Sequence, residues 1–205
     1  ILDLPDKIIT PVYLNLKSKE YMALMGEYYN WVEDDSEKKS LTVQFSKLMK
    51  VRQVIAENKV KSTCELVENI IEQGKKVIVF TNFTDTLNRI VDHFGKSAVK
   101  LDGSMSKVAR QNSVDQFQEN DKIKVFVGNL KAAGVGITLT AAEAVIMNDL
   151  SFVPSDHAQA EDRAYRYGQK SNVSVFYPIF ENSIEGVIYD ILSRKKKYFR
   201  DSNGR

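Results

Sequence analysis

The sequence predicts an α/β fold with a central, mainly parallel sheet flanked by helices, preceded by a mostly helical N-terminal segment. From residue 76 onward, short apolar runs alternate with amphipathic stretches of ten or more residues. That alternation is typical of β-α-β units and favours a doubly wound parallel sheet. With 43% hydrophobic residues, 27% charged residues and only 4 prolines among 205 residues, the chain is globular rather than disordered.

Local signals predict the elements before residue 76. Residues 8–16 are rich in β-formers, and Ser18 precedes a helical pattern as an N-cap, which predicts a helix through residue 32. A polar break covers residues 33–40. Apolar residues then recur at near-helical spacing over 41–55 and again over 66–71.

The remaining elements follow from the alternation itself. The predicted strands cover residues 77–80, 99–101, 125–127, 144–147 and 173–177. The predicted helices cover residues 84–94, 106–117, 155–166 and 183–197.

Composition and charge exclude several classes of protein. The single cysteine, Cys64, can form neither an internal disulfide nor a structural zinc site, which fits a reducing compartment. No apolar run approaches the roughly 18 residues of a membrane span. We therefore expect an intracellular protein with no membrane partner, cytoplasmic if it is prokaryotic or from a phage and nuclear if it is eukaryotic. Six basic side chains against one acidic over residues 194–205 indicate either a solvated helix end or a phosphate contact.

A phosphate-binding P-loop is the first site to seek in such a fold. Gly95-Lys96-Ser97 matches the last three residues of that motif, but Ile90 stands where its first glycine belongs. The tripeptide also ends a predicted helix instead of joining a strand to one. We therefore predict that this chain does not cradle nucleotide phosphates alone.

Two arginines form the second candidate site. Gln159, Arg163 and Arg166 have i, i+4, i+7 spacing, which predicts that their side chains share one face of a helix. Gly168 is predicted to end this helix. Two guanidinium groups projected together suit a polyphosphate, because each stays charged and can donate parallel hydrogen bonds. An ordinary helix surface with an Asp162–Arg166 pair is the alternative, and spacing alone favours neither.

A loop rich in glycine and threonine follows the predicted strand at 125–127. Gly134 and Gly136 would let backbone amides approach a ligand closely, and the hydroxyls of Thr138 and Thr140 can donate to phosphate oxygens. An ordinary turn between a strand and a helix is the alternative here.

Taken in order, these segments resemble the second RecA-like lobe of helicase superfamily two, and more narrowly the Swi/Snf family of DNA-translocating ATPases. The resemblance covers about residues 41–195. It is carried by VIVFTNF at 77–83, LDGSMS at 101–106, the loop region 127–149 and QAEDRAYRYGQ at 159–169. The Gly168-Gln169 ending separates Swi/Snf-like proteins from other helicase relatives. Tyr165 and Phe152 depart from the His and Trp that are usual at these positions.

The resemblance implies that ATP and Mg²⁺ are held mainly by a first lobe outside this chain. Arg163 and Arg166 would act across the cleft as arginine fingers, with Gln159 setting their geometry. The resemblance also places Gly134, Gly136 and Asp162 at the nucleotide. It places a further set of residues at the backbone of one DNA strand: Thr81, Asn82, Gly103, Ser104, Lys131, Thr138 and Thr140.

The resemblance also divides the chain into three parts. Residues 1–60 would be an interlobe strand and helical segment, residues 61–182 the helicase C-terminal lobe, and residues 183–205 a brace helix with a basic tail. A start at Ile1 fits a lobe excised from a longer protein.

We therefore expect the second motor lobe of an ATP-driven double-stranded DNA translocase. It would be monomeric and inactive by itself, and its partners would be duplex DNA and its own N-terminal RecA-like lobe. The alternatives are a superfamily-two RNA helicase or restriction-type translocase lobe, and a non-catalytic α/β module that binds an anion or a protein.

Overall fold

The computed structural model describes residues 5–34, 40–131 and 136–202, and it describes side chains only through Arg194. The strands are β1 (Lys7–Leu14), β2 (Val77–Thr81), β3 (Ala98–Leu101), β4 (Val125–Asn129), β5 (Ala144–Met147) and β6 (Val173–Phe180). The helices are α1 (Lys19–Glu33), α2 (Leu41–Glu72), α3 (Thr84–Phe94), α4 (Lys107–Glu119), α5 (Pro154–Ala164) and α6 (Ile184–Ser202).

These six strands form one sheet in the order β1-β6-β5-β2-β4-β3, and every neighbouring pair is parallel. Apolar side chains of β2, β4 and β5 alternate between two cores. One core packs against α2 and α3, and the other packs against α4, α5 and α6. Because both faces of the central strands are buried, the strands read as continuous apolar runs. The predicted α/β fold with a parallel, doubly wound sheet is confirmed.

Helix α2 is one continuous helix of 32 residues where the apolar spacing predicted two separate stretches. The apolar spacing lapses because two polar residues, Lys59 and Thr63, lie on the buried face of the helix, and both are fully buried. Polar residues on an inward face look like a break in an apolar pattern. The helix also runs uninterrupted through the predicted division between residues 60 and 61.

The N-terminal segment packs as a smaller third core. Helix α1 begins at the predicted cap, where the Ser18 hydroxyl accepts from the Tyr21 backbone N–H at 3.2 Å. Tyr21 and Met25 pack against the first half of α2 and against Phe180 at the end of β6. Helix α1 therefore rests on both α2 and the end of β6, next to the strand β1 that precedes it. Among the described helices, none has the length and apolar character needed to cross a membrane.

Since all strand pairs are parallel, the carboxyl ends of the strands meet at one edge of the sheet. The turns after β2, β3, β4 and β5 therefore share that edge, which is where α/β sheets bind ligands. Most of the residues that the sequence singled out lie in these turns.

Candidate functional site

The helix that carries the two arginines ends earlier than predicted. Helix α5 stops at Ala164, and Tyr165 leaves helical geometry with φ −93° and ψ 78°. The predicted extension of this helix to residue 166 is therefore wrong, and Arg166 lies in the turn that follows. Gly168, with φ +98°, also lies in that turn rather than at the helix end.

The early end has a physical cause in Gln169. Its side-chain Nε2 donates to the carbonyl oxygens of Ala164 at 3.0 Å and Ala142 at 2.9 Å. Its Oε1 accepts from the backbone N–H groups of Lys170 and Ser171. Because the glutamine amide satisfies the Ala164 carbonyl, the helix does not need a further turn there. Gln169 thus fixes the turn that contains Arg166.

Although Arg166 has left the helix, both arginines reach the same backbone atom. Nη1 of Arg163 lies 3.4 Å from the Ile137 carbonyl oxygen, and Nη1 of Arg166 lies 3.5 Å from it. In return, the Leu139 N–H donates to the Arg163 carbonyl at 2.9 Å. These bonds tie the loop after β4 to the turn that carries the arginines.

Neither guanidinium group forms an ion pair within the described residues. Among the described residues, neither has a carboxylate oxygen within 4.0 Å, so the alternative Asp162–Arg166 pair is not formed. The Nε of Arg163 is buried, and no described residue forms a hydrogen bond with it. Burial lowers the pKa of Arg163, the charge of Arg166 lowers it further, and Asp162 raises it. An unmet buried donor beside a second cation suits a bound anion.

Helix α5 is anchored firmly on its opposite side. Glu161 is two residues before Arg163; it accepts from the Tyr177 hydroxyl at 2.6 Å and from Lys7 Nζ at 3.0 Å. Burial, with the adjacent Glu161 carboxylate, raises the pKa of Tyr177 and keeps its hydroxyl a donor. Gln159 and Asp162 lie exposed on the outer surface of the same helix.

An open groove of about 770 Å³ is lined in part by Ile137, the residue whose carbonyl both arginines approach. Gly136 and Thr138 line one side of the groove, and Lys107, Arg110 and Gln111 of α4 line the other. Gly136 has φ +46°, a conformation that glycine adopts without strain. Gly134, the other predicted nucleotide-binding glycine, lies outside the described residues.

The turn after β2 holds the first pair of predicted DNA contacts. The Asn82 backbone N–H and its Nδ2 both donate to Asp149 Oδ2, at 2.9 and 2.7 Å. Thr81 is fully buried, and its hydroxyl accepts from the Phe83 N–H at 3.2 Å. The predicted DNA contact of Thr81 stays a prediction, and it requires this turn to open.

The turn after β3 is braced from two sides. Asp102 Oδ1 accepts from the backbone N–H of Ser104 at 2.8 Å and from its hydroxyl at 2.5 Å, which lowers the Asp102 pKa. Arg110 donates to the carbonyl oxygens of Gly103 and Met105 at 2.9 and 3.1 Å. Gly103 and Ser104 are exposed. They therefore form a rigid, accessible corner of the carboxyl edge.

The loop after β4 places three further predicted residues at this edge. Lys131 is exposed, and Thr138 and Thr140 are half-buried. The Thr140 hydroxyl accepts from Gln118 Nε2 at 3.2 Å, and the same amide accepts from the Ala141 N–H at 2.9 Å. Gln118 therefore anchors the end of the loop to α4.

Sequence reasoning missed a set of four buried charges, here called the buried charge cluster: Arg52, Lys59, Asp149 and Glu185. Lys59 Nζ lies 2.5 Å from Glu185 Oε1, and Asp149 holds the Asn82 turn. Two signals could have revealed them. Lys59 stands at helical spacing on an inward face, and Asp149 follows a buried strand at the carboxyl edge.

Comparison with known proteins places the chain among helicases. The family model described as helicase conserved C-terminal domain matches residues 58–168. The chain is 39% identical over 140 residues to the "ATP-dependent helicase fft2" of Schizosaccharomyces pombe; the match covers 67% of this chain and 11% of that protein. The chain thus spans about a tenth of the length of this relative.

Two solved structures from Sulfolobus solfataricus share the fold. The SWI2/SNF2 ATPase C-terminal domain has a TM-score of 0.73 at 27% identity, covering 96% of this chain and 89% of that one. The SWI2/SNF2 ATPase core in complex with dsDNA has a TM-score of 0.78 at 30% identity, covering 96% of this chain and 46% of that one.

Proposed function

This chain belongs to the helicase conserved C-terminal domain family, among the Swi/Snf-type ATP-dependent helicases, and we propose that it is the second motor lobe of an ATP-driven double-stranded DNA translocase. In this proposal the lobe supplies arginine fingers to ATP bound on a first lobe outside this chain. It also contacts the backbone of duplex DNA.

The observation that carries the proposal is the pairing of Arg163 and Arg166. Both reach one carbonyl oxygen at the carboxyl edge, and neither has a carboxylate partner among the described residues. The buried Nε of Arg163 has no hydrogen-bond partner in the described part of the chain. Guanidinium groups placed this way can stabilise the charge that develops on a transferring phosphoryl group. The residues present therefore fit a polyphosphate.

The remaining nucleotide contacts are assigned on the same basis. Gln159 precedes Arg163 by one helical turn, and we assign it to setting the orientation of that arginine. Asp162 and Gly136 would border the nucleotide. Gly95–Ser97 forms a short 3₁₀ turn between α3 and β3, which lacks the strand-to-helix setting of a P-loop. The phosphates and Mg²⁺ would therefore be held mainly by the first lobe.

The DNA track would run along the turns at the carboxyl edge. Asn82, Ser104, Lys131, Thr138 and Thr140 offer amide, hydroxyl and ammonium donors of the kind that bind phosphate oxygens. Such contacts carry no sequence information, so a motor that uses them can move along any duplex. The dsDNA complex of the Sulfolobus relative supports duplex DNA as the track.

The ATPase activity of the full-length protein that contains this chain tests the proposal. We expect duplex DNA to stimulate hydrolysis, and Arg166→Ala to lower turnover about 10³-fold or more while ATP affinity changes little. Arg163→Ala should behave similarly. Arg89→Ala, which removes an exposed arginine from α3, is the matched control and should retain full activity.

Each other outcome points to a different function. Full DNA-stimulated activity in Arg166→Ala contradicts the arginine-finger role. Stimulation by duplex RNA but not by DNA would favour the RNA helicase alternative, and no hydrolysis under any condition would favour the binding module. We further propose that the lobe is monomeric and that alone it hydrolyses ATP at no more than a background rate.

A further inference from the structure

The turn that carries Asn82 depends on one buried carboxylate. Asp149 is only 3% exposed, and a single oxygen, Oδ2, accepts from both the backbone N–H and the Nδ2 of Asn82. An amide nitrogen carries two hydrogens, so the second Nδ2 hydrogen remains for another acceptor. The position of Asp149 therefore determines the direction in which Asn82 presents its second Nδ2 hydrogen.

Arg52 lies directly behind this turn. It belongs to α2, is 8% exposed, and donates through Nη2 to the carbonyl oxygen of Leu150, the residue after Asp149. Its guanidinium carbon lies 4.5 Å from the ring centroid of Phe152 and 5.9 Å from that of Phe83. Arg52 thus touches the residues that flank Asp149 and Asn82.

The charge of Arg52 complements this arrangement without a direct ion pair. No carboxylate oxygen lies within 4.0 Å of its guanidinium among the described residues. Burial lowers the pKa of Arg52, whereas the negative charges of Asp149 and Glu185 raise it. Asp149 and Arg52 therefore attract each other at a distance inside a buried region, where screening by solvent is weak.

We propose that Arg52 is a positioning residue for nucleic-acid contact by Asn82. The guanidinium, which lies over two phenylalanine rings, fixes the Leu150 carbonyl and the adjacent Asp149 carboxylate. Asp149 in turn holds the backbone N–H and one Nδ2 hydrogen of Asn82, and the second Nδ2 hydrogen meets a phosphate oxygen of the DNA backbone. This inference rests on the proposed function, because it requires Asn82 to contact DNA.

The role demands arginine rather than any cation. A planar guanidinium can stack on an aromatic ring and donate in its own plane at the same time, whereas an ammonium group cannot do both. Arg52→Lys keeps the charge and removes the planar stacking. It therefore separates positioning from electrostatic attraction.

A double-mutant cycle on duplex DNA affinity tests the proposal. The 205-residue chain and its variants Arg52→Lys, Asn82→Ala and the double variant are titrated with a labelled duplex at low salt, followed by fluorescence anisotropy. We expect each single variant to weaken binding about tenfold or more, as for loss of one charge-assisted hydrogen bond. The double variant should bind no more than about twofold more weakly than Asn82→Ala, because both changes remove the same contact.

Amide hydrogen exchange provides a second readout that a purely structural role would not move. We expect the Asn82 amide to exchange about tenfold faster in Arg52→Lys, while the Val127 amide in the centre of the sheet is unchanged. Phe152→Leu removes one of the two rings under the guanidinium at a residue that is 41% exposed, so it should fold and accelerate the same amide. Arg89→Lys is the matched control.

The outcomes separate the two proposals. Wild-type affinity in Asn82→Ala overturns the DNA contact and with it the role of Arg52. Suppose that Asn82→Ala reduces the affinity and that the effects of the two substitutions multiply in the double variant. The DNA contact then stands, and only the positioning role of Arg52 is overturned. Equal acceleration of the Asn82 and Val127 amides also overturns positioning, since it would indicate general loss of stability.

Discussion

Replacing Lys59 by methionine tests the energetics of the buried charge cluster. Lys59 is fully buried, and its Nζ lies 2.5 and 2.6 Å from the two oxygens of Glu185. At an effective dielectric constant of about 20, unit charges this close attract by about 7 kcal/mol. That attraction offsets a desolvation penalty of several kcal/mol for each ion. Methionine fills a similar volume but leaves the carboxylate without its partner.

We expect Lys59→Met to lower the free energy of unfolding by about 3–5 kcal/mol at pH 8. Burial raises the pKa of Glu185, and the charge of Lys59 opposes that shift, so the variant raises this pKa further. A carboxyl whose folded-state pKa exceeds its unfolded value stabilises the fold below the unfolded pKa. That stabilisation is lost as the pH rises through the folded pKa. The cost should therefore shrink as the pH falls from 8 toward 5.

Urea unfolding followed by circular dichroism measures both effects, provided that the m-value stays the same. The matched control is the double variant Lys59→Met/Glu185→Gln, in which a neutral amide can still accept from the Phe180 N–H. It should recover most of the lost stability and remove the pH dependence. A cost below about 1 kcal/mol at pH 8, or a cost independent of pH, would refute the reasoning.

Three further predictions concern stability and reactivity. Gly186→Ala should destabilise the fold by about 1–3 kcal/mol in urea unfolding, because its Cβ would lie 2.6 Å from the Glu181 carbonyl oxygen. Gly26→Ala, with open space at that position of α1, should instead stabilise it by about 0.5–1 kcal/mol, and equal effects would contradict the packing argument. Gln169→Ala should cost about 1–3 kcal/mol by leaving two buried carbonyls without a donor, whereas the exposed Gln73→Ala should change stability by less than about 0.5 kcal/mol. Burial raises the pKa of the Cys64 thiol to about 11, so mass spectrometry should show slow alkylation at pH 8 that accelerates only at higher pH; rapid labelling of the folded chain at pH 8 would show that the thiol is accessible and ionised.

The sequence predicted most of the fold because its signals were local. The helix at Thr84–Phe94 and the strand at Ala144–Met147 have the predicted bounds, since each is an amphipathic or apolar run with clear ends. The predicted end of α5 was wrong because the side chain of Gln169, five residues after Ala164, donates to the Ala164 carbonyl. The prediction divided helix α2 into two stretches because Lys59 and Thr63 are polar residues on a buried face.

The sequence predicted where the candidate site lies, but it did not predict the contacts and buried charges that hold the site in place. Parallel strands gather their carboxyl ends, so residues picked from separate turns meet at one edge. The shared Ile137 carbonyl depends on the path of the backbone after Arg163, which spacing on an ideal helix does not give. Arg52 and Glu185 are charged residues that a sequence pattern assigns to the surface, and only the packing of α2 and α6 shows them buried.

The buried charge cluster also constrains how this sequence can vary over evolutionary time. Two cations and two anions share one buried region, so a substitution that removes a single member leaves a net charge without solvent. Positions 59 and 185 are 126 residues apart, yet their side chains are in direct contact and are energetically coupled. Descendants of this sequence should therefore exchange Lys59 and Glu185 together, either for another ion pair or for two apolar residues. The two positions would then vary as a pair although they are far apart in the sequence.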